Sequence, residues 1–147
     1  MHVAPLLSPQ RTVQLTVRLN YIHWLEDLLD LVAPQVKDNA ATVKGIDIGT
    51  GASCIYALLG AKMNKWQFVA TEVADESVKS AKANVERNGL SASIDVRQVK
   101  PTTFLQAALT PSDGKFDFCM CNPPFFETIA DVRCCLRRCV ALPPRAR

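Results

Sequence analysis

Gly45-Ile46-Asp47-Ile48-Gly49-Thr50-Gly51 decides the fold. Val43 to Ile48 is a short apolar run with three β-branched residues, the pattern of a buried strand, and it runs straight into a Gly-x-Gly turn. Ser53 to Ala61 follows as an apolar helix. Glycines in such a turn permit positive φ and let a ligand come close to the backbone. The helix start adds free N–H groups and a positive dipole end. A plain turn would explain the two glycines by themselves, and the third glycine of the dinucleotide fingerprint is missing, because position 54 is Cys.

Outward from this stretch the chain alternates. Gln67 to Glu72 reads as a second strand. Asp75 opens a helix with Val78, Ala81 and Val85 on one face and Gly89 placed as its C-terminal cap. Ile94 to Val99 is a third strand, Thr102 to Leu109 a short helix, Pro111 to Gly114 a turn, and Phe116 to Cys121 a fourth strand. Such alternation predicts an α/β fold with a parallel sheet and helices on both faces. Upstream, residues 1–17 read as irregular, and Asn20 as the cap of a helix carrying Ile22, Leu25, Leu28, Leu29 and Val32 at helical spacing, which Pro34 stops.

Composition narrows the class. The chain has 147 residues, 48% hydrophobic and 21% charged, which fits one globular domain or part of one. No run approaches the ~18 apolar residues of a membrane span. The N-terminus lacks a basic segment followed by an apolar one, so export is not expected. The net charge of +3 lies wholly in residues 127–147, where Arg133, Arg137, Arg138, Arg145 and Arg147 face only Glu127 and Asp131. The remaining body is neutral and gives no electrostatic sign of a nucleic-acid partner. None of the six cysteines forms a C-x-x-C pair, so no metal site is expected. Cys54, Cys119 and Cys121 lie in apolar runs and read as buried, reduced thiols of an intracellular protein, nuclear or cytoplasmic.

Three features carry the chemistry. Glu72 ends the second strand, where an acid can accept hydrogen bonds from ribose hydroxyls. With the glycine turn it favours an adenosine-containing cofactor, and the missing glycine weighs against a nicotinamide dinucleotide. Asp47 suits S-adenosylmethionine, since a carboxylate beside the turn can pair with the amino group or the sulfonium side; it could equally be a structural acid capping the next helix. Asn122-Pro123-Pro124-Phe125 follows the fourth strand and is delivered to the rim where open α/β sheets bind ligands. Its prolines make a stiff loop that offers acceptors. The Asn122 side-chain oxygen and the Pro123 carbonyl could take both N–H bonds of an exocyclic adenine amine and aim its lone pair at a methyl donor. Phe125 could stack on the base. Catalysis would then rest on positioning and fixed dipoles.

Asp-x-Gly-x-Gly, a strand-end Glu and Asn-Pro-Pro-Phe, in that order, resemble the class I S-adenosylmethionine-dependent amino-methyltransferases. Arg18 to Trp24, Gly45 to Tyr56, Ala70 to Val73 and Asp117 to Phe126 resemble, more closely, the family of methyltransferase-like protein 16 and the bacterial ribosomal RNA adenine-N6 methyltransferases. The resemblance implies a Rossmann-like sheet of strand order 3-2-1-4 with helices on both faces, and methylation of adenine N6 in structured RNA, such as U6 small nuclear RNA or the S-adenosylmethionine synthetase messenger. It also implies that Arg18 contacts the methionine carboxylate, Gly49 lies beside the cofactor, Glu72 holds its ribose, Thr103 approaches its adenine, and Asn122 to Phe125 form the target-base site; Asp47 and Gly51 join the cofactor residues on the reading of the turn itself.

The resemblance covers residues 18–126 and leaves 127–147 as a divergent Arg/Cys/Pro tail. The expectation is a partial methyltransferase domain shortened at both ends, such as a splice product, with RNA binding weakened more than cofactor binding. A shortened, inactive form that at most binds cofactor or a partner is the alternative. A methyltransferase acting on protein glutamine amides would usually carry Tyr at position 125, and a dehydrogenase needs the fuller glycine fingerprint.

Overall fold

The computed structural model describes residues 9–32, 42–100 and 108–123, with the side chains of α1 described from residue 16. Helix α1 spans Pro9–Val32, β1 Lys44–Ile48, α2 Ile55–Asn64, β2 Gln67–Glu72, α3 Asp75–Arg87, β3 Ile94–Gln98 and β4 Phe118–Cys121, with a 3-10 turn at Pro111–Asp113. The strands form one parallel sheet in the order β3-β2-β1-β4. This is the Rossmann-like order that the resemblance implies, and β2 matches its expected bounds residue for residue.

Alternation along the strands sorts the sheet into two faces. Phe68 and Ala70 of β2, Ile94 and Val96 of β3 and Met120 of β4 share one face, and they pack with Ala57 and Ala61 of α2, Val78, Ala81 and Val85 of α3, and Ile22 and Leu25 of α1. α3 presents to the sheet the three residues expected of it. Past its end, Gly89 donates its N–H to the Glu86 carbonyl and Leu90 to the Val85 carbonyl, the paired bonds that close a helix C-terminus.

Glycine gives room on this face. A Cβ at Gly45 would run into the Phe118 ring of the neighbouring strand, and one at Gly60 would lie 2.8 Å from Phe68 and 2.9 Å from Trp66. Phe118 stands edge-on to Trp66 at 5.3 Å and to Phe68 at 5.8 Å, so the rings fill the volume the glycines vacate.

The edge opposite the glycine turn is clamped by charge. Arg97 donates to both carboxylate oxygens of Asp113, at 2.8 and 2.7 Å, and holds that carboxyl well below the usual carboxylate range. Asp117 accepts the Lys44 N–H at 2.7 Å and returns its own N–H to the Lys44 carbonyl at 2.8 Å. These bonds fix where β4 enters the sheet, and ladder pairing begins at Phe118, two residues later than expected.

Three expectations are corrected. Residues 9–17 are helical, not irregular: Pro9 opens α1 at the position where its missing N–H costs nothing. Asn20 therefore lies inside that helix and caps nothing. Cys119 and Cys121 are exposed, because the alternation of β4 puts them on the face opposite buried Met120; among the described cysteines Cys54 alone is buried. Most of the helix expected at Thr102 to Leu109, and all of residues 127–147, lie outside the described residues. Among the described residues no helix is long and apolar enough to cross a membrane.

Gly45→Ala is expected to lower stability by about 2 kcal/mol in urea unfolding, the usual cost of overfilling a packed site. Pairing it with Phe118→Leu should recover part of that loss; an unchanged midpoint in Gly45→Ala would refute the packing argument.

Candidate cofactor and target-base site

The site is built where three strands stop together. Ile48, the last residue of β1, stands opposite Thr71 of β2 and Cys121 of β4. The Gly49–Gly51 turn, Glu72 and Asn122 therefore leave the sheet side by side at its carboxyl edge. Gly49 and Gly51 take φ of 71° and 66°, and a Cβ on either would meet nothing within 4 Å, so the turn faces open space. The Thr50 N–H bonds the Thr71 carbonyl at 2.9 Å and pins the turn to β2.

Glu72 organises the backbone around it. One carboxylate oxygen accepts the Gly51 N–H at 2.9 Å. The other accepts the N–H groups of Val73 at 2.7 Å and Ala74 at 3.0 Å. The glycine turn and the start of α3 are thus tied to one carboxylate, whose remaining lone pair, on Oε2, can accept a ligand hydroxyl. Asn84 of α3 donates to the Ala52 carbonyl at 3.0 Å, a second tie between that helix and the turn.

Asp47 lies beneath the turn at 1% exposure. Its Oδ2 accepts the Thr50 hydroxyl at 2.6 Å, so it does not cap α2, whose N-cap residue is Cys54. Burial pushes its carboxyl up to about 6; the Thr50 hydrogen bond opposes the rise and the Glu72 charge adds to it. Tyr21 of α1 approaches from above: burial, then Tyr56, Asp47, Cys121 and Cys119, push its phenol up from the usual value. Its ring packs on Tyr56 at 5.4 Å and on Trp24 at 5.6 Å.

Arg18 precedes Tyr21 by about one turn of α1. Tyr21 meets the first turn of α2, while Glu26 accepts a bond from Asn64 at the far end of α2, at 2.6 Å. α1 therefore runs away from the carboxyl edge, and Arg18 lies on the side of that edge. The structure brings together Asp47, Gly49, Gly51 and Glu72, and sets Asn122 and Pro123, both exposed, beside them. Thr103, Pro124 and Phe125 lie outside the described residues. The sequence reading missed Thr50, Tyr21 and Asn84. Thr50 had a local signal, a hydroxyl three residues after a buried acid. Tyr21 and Asn84 reach the site only through the packing of helices.

The RNA methyltransferase family matches residues 9–143 of the chain. The mouse RNA N(6)-adenosine-methyltransferase METTL16 is 56% identical over 111 residues, which is 75% of this chain and 20% of the mouse protein. The U6 small nuclear RNA (adenine-(43)-N(6))-methyltransferase of Drosophila melanogaster is 42% identical over 117 residues, 78% of this chain and 36% of the fly protein. Among solved structures, the N-terminal domain of human METTL16 in complex with SAH superposes with a TM-score of 0.66 at 43% identity, covering 92% of this chain and 51% of that one. The human METTL16 catalytic domain in complex with MAT2A 3'UTR hairpin 1 superposes with a TM-score of 0.62 at 50% identity, covering 79% and 36%. The chain thus spans a fifth to about a third of these two curated relatives. The family match over residues 9–143, most of the chain, shows that the chain belongs to the RNA methyltransferase family.

Proposed function

We propose that this chain forms the S-adenosylmethionine-binding and target-base part of an RNA adenine-N6 methyltransferase, acting on structured RNA. The observation that carries the reading is the common edge: the glycine turn with buried Asp47, Glu72, and Asn122-Pro123 end three adjacent strands at one level. The relatives named for adenine-N6 methylation, and the human structure with a bound hairpin RNA, support the substrate class.

The residues present fit the cofactor. Open space above Gly49 and Gly51 admits a ligand against the backbone. Glu72 offers its remaining acceptor to a ribose hydroxyl. Asp47 sits buried with a hydroxyl as its hydrogen-bond donor, and a cationic group over the turn would favour its charged form. Bound there, S-adenosylmethionine supplies an electrophilic methyl group. Asn122 and Pro123 then do the positioning. Their two carbonyl oxygens accept the N–H bonds of the adenine amine and hold its lone pair toward the methyl carbon. Positive charge developing on the nitrogen, as the methyl–sulfur bond breaks and S-adenosylhomocysteine leaves, would be stabilised by the same two dipoles. The amine proton leaves to solvent after transfer, so no strong base is required. Arg18, on the same side, is assigned to the methionine carboxylate.

Asp47 gives a pH signature. Unfolded, its carboxyl titrates near ~4; folded, near about 6. The native state holds the proton more tightly, so this group's contribution to stability falls as pH rises between those values and stays low above them. A cationic ligand reverses the trend in binding: S-adenosylmethionine affinity should rise roughly tenfold from pH 5 to pH 7 in calorimetry. Asp47→Asn should flatten both dependences; a wild-type affinity independent of pH would contradict the assignment.

Asn122→Ala should lower methyl transfer to an adenine-bearing hairpin RNA by about 100-fold or more, with cofactor affinity nearly unchanged. Cofactor binding by the wild-type chain without turnover would assign it the second reading, a binding protein. Absence of cofactor binding would defeat both.

A further inference from the structure

Helix α1 has two apolar sides, and the sheet uses only one of them. Ile22 and Leu25 are buried in the core, yet Val17, Trp24, Leu28 and Leu31 are exposed, Trp24 at 52% and Leu31 at 75%. Their spacing of seven, four and three residues keeps them on one side of the helix, as a stripe about 21 Å long. Asp27 stands three residues after Trp24 and four before Leu31, so it borders the stripe, and Asp30 follows a turn later. Both acids are exposed, and among the described residues neither has an ion-pair partner. Glu26, by contrast, is engaged by His23 and Asn64. The open side of α1 is an apolar stripe with an acidic border, the composition of a docking surface.

The chain itself supplies a matching segment. Twenty-four residues follow Pro123, and the last 21 carry five Arg against two acids. Ile129, Val132, Leu136 and Val140 recur three, four and four residues apart, and Arg133 and Arg137 border that pattern on one side. Read as a helix, 129–140 is about 17 Å long, close to the length of the stripe. Pro143 would stop it. The path agrees. β4 is an edge strand, and the chain leaves it at the carboxyl edge with Asn122. α1 runs away from that same edge, so a segment turning back after Pro123 runs parallel to α1. In that direction, with the apolar sides together, the Arg133–Arg137 border falls beside Asp27. Residues 124–128 can bridge about 16 Å when extended, ample for the turn.

We infer that residues 129–142 dock on the exposed side of α1, covering Trp24 and Leu31 with their apolar side and setting Arg133 and Arg137 against Asp27. Apolar burial drives the contact, and the charges select its direction. RNA fits this stripe poorly, because Asp27 and Asp30 repel phosphates. A second copy would set one acidic α1 on another. The docked segment braces the helix that carries Arg18 and Tyr21, and its docking is independent of whether the carboxyl edge binds a cofactor.

Acrylamide quenching of tryptophan fluorescence in the full chain tests this. Of the two tryptophans Trp66 is 6% exposed, so quenching reports Trp24. Wild-type quenching should be weak and independent of protein concentration, with a monomer in sedimentation. Leu136→Asp lies outside the sheet and its helices and should raise the quenching constant about twofold, since one lost leucine can undo a marginal contact. Asp27→Lys should raise it less, and adding Arg133→Glu and Arg137→Glu should bring it back toward wild type. Unchanged quenching in Leu136→Asp, or no recovery on charge reversal, would overturn the inference. Protection that grows with protein concentration together with a dimer in sedimentation would overturn it in favour of a second copy. Protection of Trp24 that appears only on adding a hairpin RNA would overturn it in favour of RNA.

Discussion

β1 is paired on both sides, and the site depends on that constraint. Parallel ladders to β2 and to β4 hold Ile48 opposite Thr71 and Cys121, so three segments leave the sheet at one height. A one-residue slip in either ladder would turn every side chain of a strand to the other face and would part Glu72 or Asn122 from the glycine turn. The register is held from below as well. The mutual Lys44–Asp117 bonds and the Arg97–Asp113 pair fix the entry of β4, and Phe118 fits against Gly45 where any side chain would collide. Packing at one edge of the sheet thus sets geometry at the other.

At the carboxyl edge the electrostatics are built on two acids with different duties. Glu72 is satisfied by three backbone N–H groups and works as a brace for the surrounding loops. Asp47 is buried, held by a hydroxyl, and pushed toward neutrality. A buried carboxylate in this state is costly to ionise in the empty fold and gains most from an incoming cation. That difference is why Asp47, more than Glu72, should report ligand charge. In the proposed function the exposed Asn122-Pro123 segment complements it, its carbonyl dipoles being the acceptors for a planar amine that carries no charge of its own.

Much of this was legible in the residues. The strand bounds of β2, the buried face of α3 and the closing bonds at Gly89 follow from local pattern, and they were read correctly because period and cap agree. Asp47, the two glycines and Glu72 were legible as a group because strand, turn and strand end are fixed by short sequence distances. Other features were set by contacts distant in sequence. Cys119 and Cys121 looked buried because β4 is uniformly apolar, and only its pairing shows which residues turn outward. The upstream extension of α1 to Pro9 was hidden by residues of middling helix propensity, which gave no periodic signal. Cys54 is legible as a missing glycine, yet its left-handed backbone and its full burial needed the fold. Tyr21 entered the site through the crossing of α1 over α2.

The central claim is that this carboxyl edge is the cofactor site. Backbone amide NMR of the chain, recorded before and after adding S-adenosylmethionine, tests it most directly. The account predicts the largest shifts at Gly49, Gly51, Val73, Ala74 and Asn122, because Gly51, Val73 and Ala74 donate to Glu72, Gly49 opens the same turn, and Asn122 follows the neighbouring strand. Shifts confined to the opposite edge, around Lys44, Ser93 and Asp113, or no shifts at all, would contradict it.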